Sequence, residues 1–254
     1  MRNLRAFTQQ IMGMPISLHV RAADADRPDI ADAAAQVFAH LRKVDSVFSL
    51  YRPDSQLMRW RAGELSTARL HPWVEEVHEL CEEARQQTDG LFTPWLPAAD
   101  TGEELSDDTD VRVAFDPTGL VKGWAVAGAT AYLHERHAIA YCLNAAGDMA
   151  IGAGRGLDAI APWVVGIEDA AERGKIARTI EITTGAVATS GSAIRGDHFF
   201  DPRSKTWIAS TGSATVVGPD LLWADVWATA ASVDPEHAAH LLRVRADEYE
   251  LVLL

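Results

Sequence analysis

Ala138-Ile139-Ala140-Tyr141-Cys142-Leu143-Asn144-Ala145-Ala146-Gly147-Asp148-Met149-Ala150-Ile151-Gly152-Ala153 holds two strand-like segments, Ala138–Leu143 and Met149–Ala153, either side of a short polar turn. The turn Asn144–Asp148 has no room for a crossover helix, so the two strands read as a hairpin. Strand patterns continue at Trp163–Ile167, Arg178–Thr183, Ala186–Ala188, Ile208–Ala209 and Ala214–Val217. Helix patterns follow at Leu221–Ser232 and Pro235–Arg243, with a last strand at Tyr249–Leu253. Upstream, a strand at Ile16–Arg21 precedes a Pro/Asp boundary at Asp26–Asp29 and a helix through Val37, Leu41, Val44 and Phe48. A polar loop, Arg52–Ser55, closes that unit. Trp73, Val77, Leu80, Cys81 and Ala84 repeat at helical spacing until Thr88-Asp89-Gly90, where Gly takes a C′-like position. A short strand ends near Phe115, and a helix runs from about Gly119 to Arg136. Strands in runs with helices between them predict an α+β fold of mixed sheets with packed helices. One compact unit spanning 1–254 is expected, with Pro97–Asp110 as an acidic loop inside it.

Composition narrows the function classes. The chain has 254 residues and a formal net charge of −13, from 36 acids against 23 bases. No Lys/Arg-rich run is present to neutralise a phosphate backbone, so a nucleic-acid partner is not expected. The net charge does not forbid a small anionic ligand whose charge is met locally by a metal and amides. Cys81 and Cys142 lack metal-ligand or redox spacing and read as buried thiols. Met1–Gln10 has Arg2 and Arg5 but no apolar export segment and no lipid-acceptor Cys, so no membrane anchor and a cytoplasmic location are expected. Gly152, Gly154 and Gly156 do not complete a dinucleotide fingerprint, because Leu157 stands where its third Gly falls. Most of the eight Trp read as core, though an exposed one near a site can stack a planar ring.

Four stretches carry chemistry. In Trp223-Ala224-Asp225-Val226-Trp227-Ala228-Thr229, Asp225 and Thr229 lie one turn apart on a helix face and offer two hard oxygens suited to Mg²⁺. The same pair also reads as a capping Asp with a solvent-facing Thr. Asp116-Pro117-Thr118-Gly119-Leu120-Val121-Lys122-Gly123 opens a helix whose free amides and Lys122 make an anion site, or an ordinary cap after a Pro turn. Ala188-Thr189-Ser190-Gly191, followed by Arg195, Asp197, His198 and Asp201-Pro202, gathers hydroxyls and an imidazole able to deprotonate one. Asp148, at the end of the hairpin turn, can sit next to a ligand or simply serve the turn.

Together these pieces resemble the ApbE family, the FAD:protein FMN transferases, from about Met12 to Ser232. Met12-Gly13-Met14-Pro15 resembles the family's "MGT", and Phe48-Ser49-Leu50-Tyr51 with Asp54-Ser55 resembles "FSxY…S". Thr88 through Pro94 resembles "TGGAFDP", Asp116 through Gly123 "DxGGIAKG", and Asn144 through Asp148 "NxGGD". Ala188 through Gly191 is "ATSG", His198 through Pro202 resembles "HIIDP", and Ala224-Asp225 with Ala228-Thr229 matches "ADAxAT". The motifs stand in the family's order.

The resemblance implies a flavin site in a cleft. It places flavin contacts at Met12, Tyr51, Leu91, Phe92, Thr93, Asp116, Lys122 and Phe199. It places Mg²⁺ at Asp225, Thr229 and the carbonyl of Gly119, and makes His198 the candidate base. The implied reaction moves FMN from FAD onto a threonine hydroxyl of an acceptor flavoprotein and releases AMP. Alternatives are an FAD-binding protein and a Mg²⁺-dependent FAD pyrophosphatase giving FMN and AMP; a homodimer is compatible with either. The chain departs from the family pattern at Thr93, Ala127, Ala146 and Ser204-Lys205, changes that touch cofactor grip more than metal binding.

Overall fold

The computed structural model describes residues 3–97, 113–157, 159–170, 172, 174–191, 199–209 and 212–254. Its centre is a seven-stranded sheet in the order β1 (Asn3–Ile11), β2 (Met14–Ala22), β5 (Ala140–Ala145), β6 (Asp148–Ala153), β9 (Gly185–Gly191), β12 (Ser213–Gly218) and β13 (Glu250–Leu253). Every neighbouring pair in it is antiparallel. The remaining strands form two-stranded sheets: β3 (Trp95–Pro97) with β4 (Val113–Phe115), β7 (Trp163–Glu168) with β8 (Ile176–Ile182), and β10 (Phe199–Asp201) with β11 (Thr206–Ile208). Among the described residues the α-helices are α1 (Pro28–Phe48), α2 (Gln56–Arg61), α3 (Trp73–Gln87), α4 (Thr118–Ala129), α5 (Ala131–His134), α6 (Leu221–Val233) and α7 (Pro235–Arg245). The α+β expectation holds.

The period of two along the strands divides the protein into layers. Tyr141, Leu143 and Ala145 of β5, Ala150 of β6, and Ala186 and Ala188 of β9 point into the large core shared with the helices. Their alternates Cys142, Ile151 and Val187 point to the other face, where Trp163, Val165 and Ile182 of the β7–β8 hairpin cover them. Central strands are thus apolar on both faces, which is why Ala138–Ala153 reads as nearly continuous hydrophobic sequence.

Helix α6 is buried almost all round, through Leu221, Leu222, Ala224, Val226, Trp227, Ala228, Ala230 and Ala231. It packs on β9, β12 and α4. Its approach to α4 is close enough that a Cβ at Gly123 would lie 2.8 Å from the Leu221 carbonyl oxygen and 3.0 Å from Asp225 Cβ. The side chain of Asp220 caps it, accepting from Leu222 N at 2.9 Å and Trp223 N at 3.4 Å.

Strands β3 and β10 and the short helical turn Thr67–Arg69 have no counterpart in the sequence expectation, and three other elements also differ from it. Strand β1 has no counterpart in the sequence expectation; on this edge strand Leu4 and Ala6 are exposed while Arg5 and Phe7 are half-buried, so polarity does not alternate with its faces. Helix α2 follows the Arg52–Ser55 loop because Ser55 caps it, accepting from Met58 N at 3.1 Å. The single helix expected from Gly119 to Arg136 breaks at Thr130, whose hydroxyl donates to the Ala127 carbonyl at 2.7 Å. Most of the acidic loop expected at Pro97–Asp110 lies outside the described residues.

The turns Met12-Gly13 and Ala146-Gly147 both run through positive φ, at 56° and 72° and at 52° and 103°. Such two-residue turns match the twist of a hairpin but strain a residue that carries a Cβ. Ala146→Gly is therefore expected to raise stability by about 1 kcal/mol in a denaturant titration. A loss of stability would show that the Ala146 methyl contributes packing that outweighs the strain.

Candidate functional site

Three charged side chains meet beneath the surface at one end of the large sheet. Asp148 begins β6 on the helix-facing side, Lys122 lies in the second turn of α4, and Asp225 is in the middle of α6. Their exposures are 1%, 9% and 2%. Lys122 Nζ is paired with Asp148 Oδ2 and lies 3.4 Å from Asp225 Oδ1. The second oxygen of each carboxylate takes a backbone amide: Asp148 Oδ1 accepts from Thr189 N at 2.9 Å, and Asp225 Oδ2 from Gly123 N at 3.2 Å. Buried charges persist where they are paired and hydrogen-bonded in this way.

Hydroxyl and carbonyl oxygens lie one turn along the same two helices. Thr229 lies one turn beyond Asp225, and its Oγ1 is 3.4 Å from Ser190 Oγ. The carbonyl of Gly119 points along α4 toward the amide of Gly123, the same amide that donates to Asp225 Oδ2. Carboxylate, hydroxyl and carbonyl are hard donors, the chemistry that Mg²⁺ selects. Among the described residues no three or more His, Cys, Asp or Glu side chains gather in a group fit for a metal. A metal held here would therefore complete its coordination with water or ligand oxygens. The reading of Asp225 as a helix cap is overturned, since Asp220 fills that role and Asp225 is buried within α6.

The other expected site residues sit in three settings. Met12 occupies the β1–β2 turn, tied to the β5–β6 turn through Ala146 N donating to the Pro15 carbonyl at 3.3 Å. Leu91 and Phe92 are core residues, and a Cβ on Gly119 would lie 3.2 Å from the Phe92 ring. Their segment is fixed by Thr88, whose hydroxyl donates to the Ala84 carbonyl at 2.8 Å and accepts from Phe92 N at 3.0 Å. Thr93 Oγ1 accepts from Trp95 N at 3.2 Å. Asp116 Oδ1 receives Thr118 N at 2.9 Å and Thr118 Oγ1 at 2.6 Å, so the capping alternative for this Asp describes one of its oxygens. Tyr51 is 94% exposed on the turn after α1, and Phe199 is half-buried at the start of β10. His198, with Arg195 and Asp197, lies outside the described residues.

The motifs leave Asp148 open between ligand contact and turn, and they do not separate Ser190 from its neighbouring hydroxyls. The available signal was strand parity. Asp148 shares its face with Ala150, and Ser190 with Ala186 and Ala188, so both must point toward the helices that carry Lys122, Asp225 and Thr229.

A family model described as the ApbE family matches residues 12–101 and 98–253. Among curated proteins no match is found. Several solved structures share the fold. An ApbE protein from Thermotoga maritima is 19% identical, with TM-score 0.76 and coverage of 99% of this chain and 94% of its own. The flavin transferase ApbE from Vibrio cholerae is 18% identical, with TM-score 0.74, covering 100% and 97%. The flavinyl transferase ApbE of Pseudomonas stutzeri, in an apo form, is 22% identical, with TM-score 0.74, covering 99% and 94%.

Lys122→Met should cost about 3 kcal/mol or more of stability, because it takes the ammonium away from two buried carboxylates. Thermal and denaturant unfolding measure this. A cost below about 1 kcal/mol would mean that the ammonium is not what holds the carboxylates in place.

Proposed function

This chain belongs to the ApbE family, and from that premise we propose that it transfers FMN from FAD to a threonine hydroxyl of an acceptor protein, with Mg²⁺ and release of AMP. The observation that carries the reading is the buried Lys122–Asp148–Asp225 cluster with Thr229 and Ser190 beside it. The description of two structural neighbours as flavin transferases supports it. We place FAD in a cleft at this end of the sheet, with the whole chain, 1–254, acting as one unit.

The reaction is a phosphoryl-group transfer, so the protein mainly orients the reacting groups and meets their charge. The acceptor threonine Oγ attacks the FMN-side phosphorus and forms a new P–O bond. The bond from that phosphorus to the bridging oxygen breaks, and AMP leaves with that oxygen. The threonine proton passes to His198, assigned as base by its place in the family pattern. Asp225, Thr229 and the Gly119 carbonyl are the residues that would hold Mg²⁺, which when bound supplies charge neutralisation on the diphosphate oxygens. Lys122 presents a second positive charge at the same place. Gly123 lets α4 and α6 approach closely enough for Asp225 to take its backbone amide. Phe92 packs against Gly119 and holds the first turn of α4 in place. Contacts to the flavin are assigned to Met12, Tyr51, Leu91, Phe92, Thr93, Asp116, Lys122 and Phe199.

Purified protein incubated with FAD and MgCl2, with and without a threonine-bearing acceptor peptide, tests the assignment by peptide mass and by release of AMP. A peptide carrying FMN as a phosphoester is the expected product. AMP and free FMN without labelled peptide would replace the transferase by an FAD pyrophosphatase, and intact bound FAD would replace it by a flavin-binding protein. Asp225→Asn should lower transfer about 100-fold or more while keeping the side chain's shape; unchanged transfer would remove Asp225 from the metal site. His198→Ala should reduce transfer to threonine more than hydrolysis by water, and equal loss of both would contradict a base that serves the acceptor.

A further inference from the structure

The position of Lys122 is unusual for a residue beside a metal ligand. A carboxylate kept for a dication would be expected to face water or other anions, yet Asp225 Oδ1 faces Lys122 Nζ at 3.4 Å. The ammonium is anchored independently on Asp148, at the start of the neighbouring strand. A lysine head is a compact charge with three donors on a flexible stem, so it can release one carboxylate and keep the other. From this arrangement we infer that Lys122 is a built-in counter-cation that competes with a divalent metal for Asp225 and so sets how tightly the metal is held. The inference rests on the assignment of Asp225 and Thr229 as metal ligands made above. Lys122 acts here through Asp225, as a positioning residue. A metal that displaces the ammonium from Asp225 leaves Lys122 on Asp148. Without that ligand, the lysine keeps the protein from holding a dication firmly.

Thermal unfolding of the full chain against MgCl2 alone, without flavin, tests this. Lys122→Gln should lower the MgCl2 concentration for half-maximal stabilisation about ten-fold or more, and Asp148→Asn should raise it by a similar factor, because it removes the anchor that draws the ammonium away from Asp225. Simple damage to the fold would move both variants in the same direction. If the half-saturation points agree in wild type and both variants, or shift together, the inference falls and the metal assignment stands. If none of the three responds to MgCl2, both fall.

Discussion

The ammonium of Lys122, held between Asp148 and Asp225, is the interaction on which the rest of the site depends. It joins three elements distant in sequence: the hairpin turn that opens β6, the second turn of α4, and the middle of α6. Charges buried this deeply destabilise a fold unless each oxygen and proton has a partner. Here the spare carboxylate oxygens take backbone amides from Thr189 and Gly123. The cluster therefore fixes backbone as well as side chains, which is what a site must do to present oxygens at set distances.

Close packing makes this possible. Helix α6 is built from Ala, Leu, Val and Trp around its circumference, so it can lie between the sheet and α4 without exposing an apolar face. Asp225 is the charged exception among its buried residues. The absence of a side chain at Gly123 brings α4 near enough for the amide to meet that carboxylate. A larger residue would push the helices apart and leave Asp225 short of a partner. Sheet parity does the same for the other half, turning Asp148 and Ser190 toward the helices while Thr189 turns away to meet Thr215, Oγ1 to Oγ1, at 2.8 Å.

Much of this was legible in the sequence where local physics is strong. The hairpin at Asn144–Asp148, the stop of α3 at Thr88-Asp89-Gly90 and the Asp225–Thr229 face each follow from spacing and turn chemistry. Strand β1 was hidden because an edge strand needs little apolar sequence, and the break at Thr130 because a hydroxyl bonding backward leaves no mark in hydrophobic period. The Lys122–Asp148 pair was hidden for a different reason: it joins residues whose adjacency is set by sheet order and helix packing. Departures from the family pattern follow a physical rule as well. Asp89, Ala146 and Lys205 stand where the pattern has Gly, and each keeps a left-handed backbone, with φ of 50°, 52° and 55°. Arg245 pairs with the Asp89 carboxylate at 2.8 Å.

If Lys122 weakens the hold on a dication until an anion arrives with it, metal and flavin dinucleotide bind cooperatively. The direct measurement is the dissociation constant of FAD for the wild-type chain, by calorimetry, with MgCl2 and with EDTA. The account predicts that FAD binds at least ten-fold more tightly with MgCl2. Equal affinity under the two conditions would contradict it, because the diphosphate and the metal would then not share the charge that Lys122, Asp148 and Asp225 set in place.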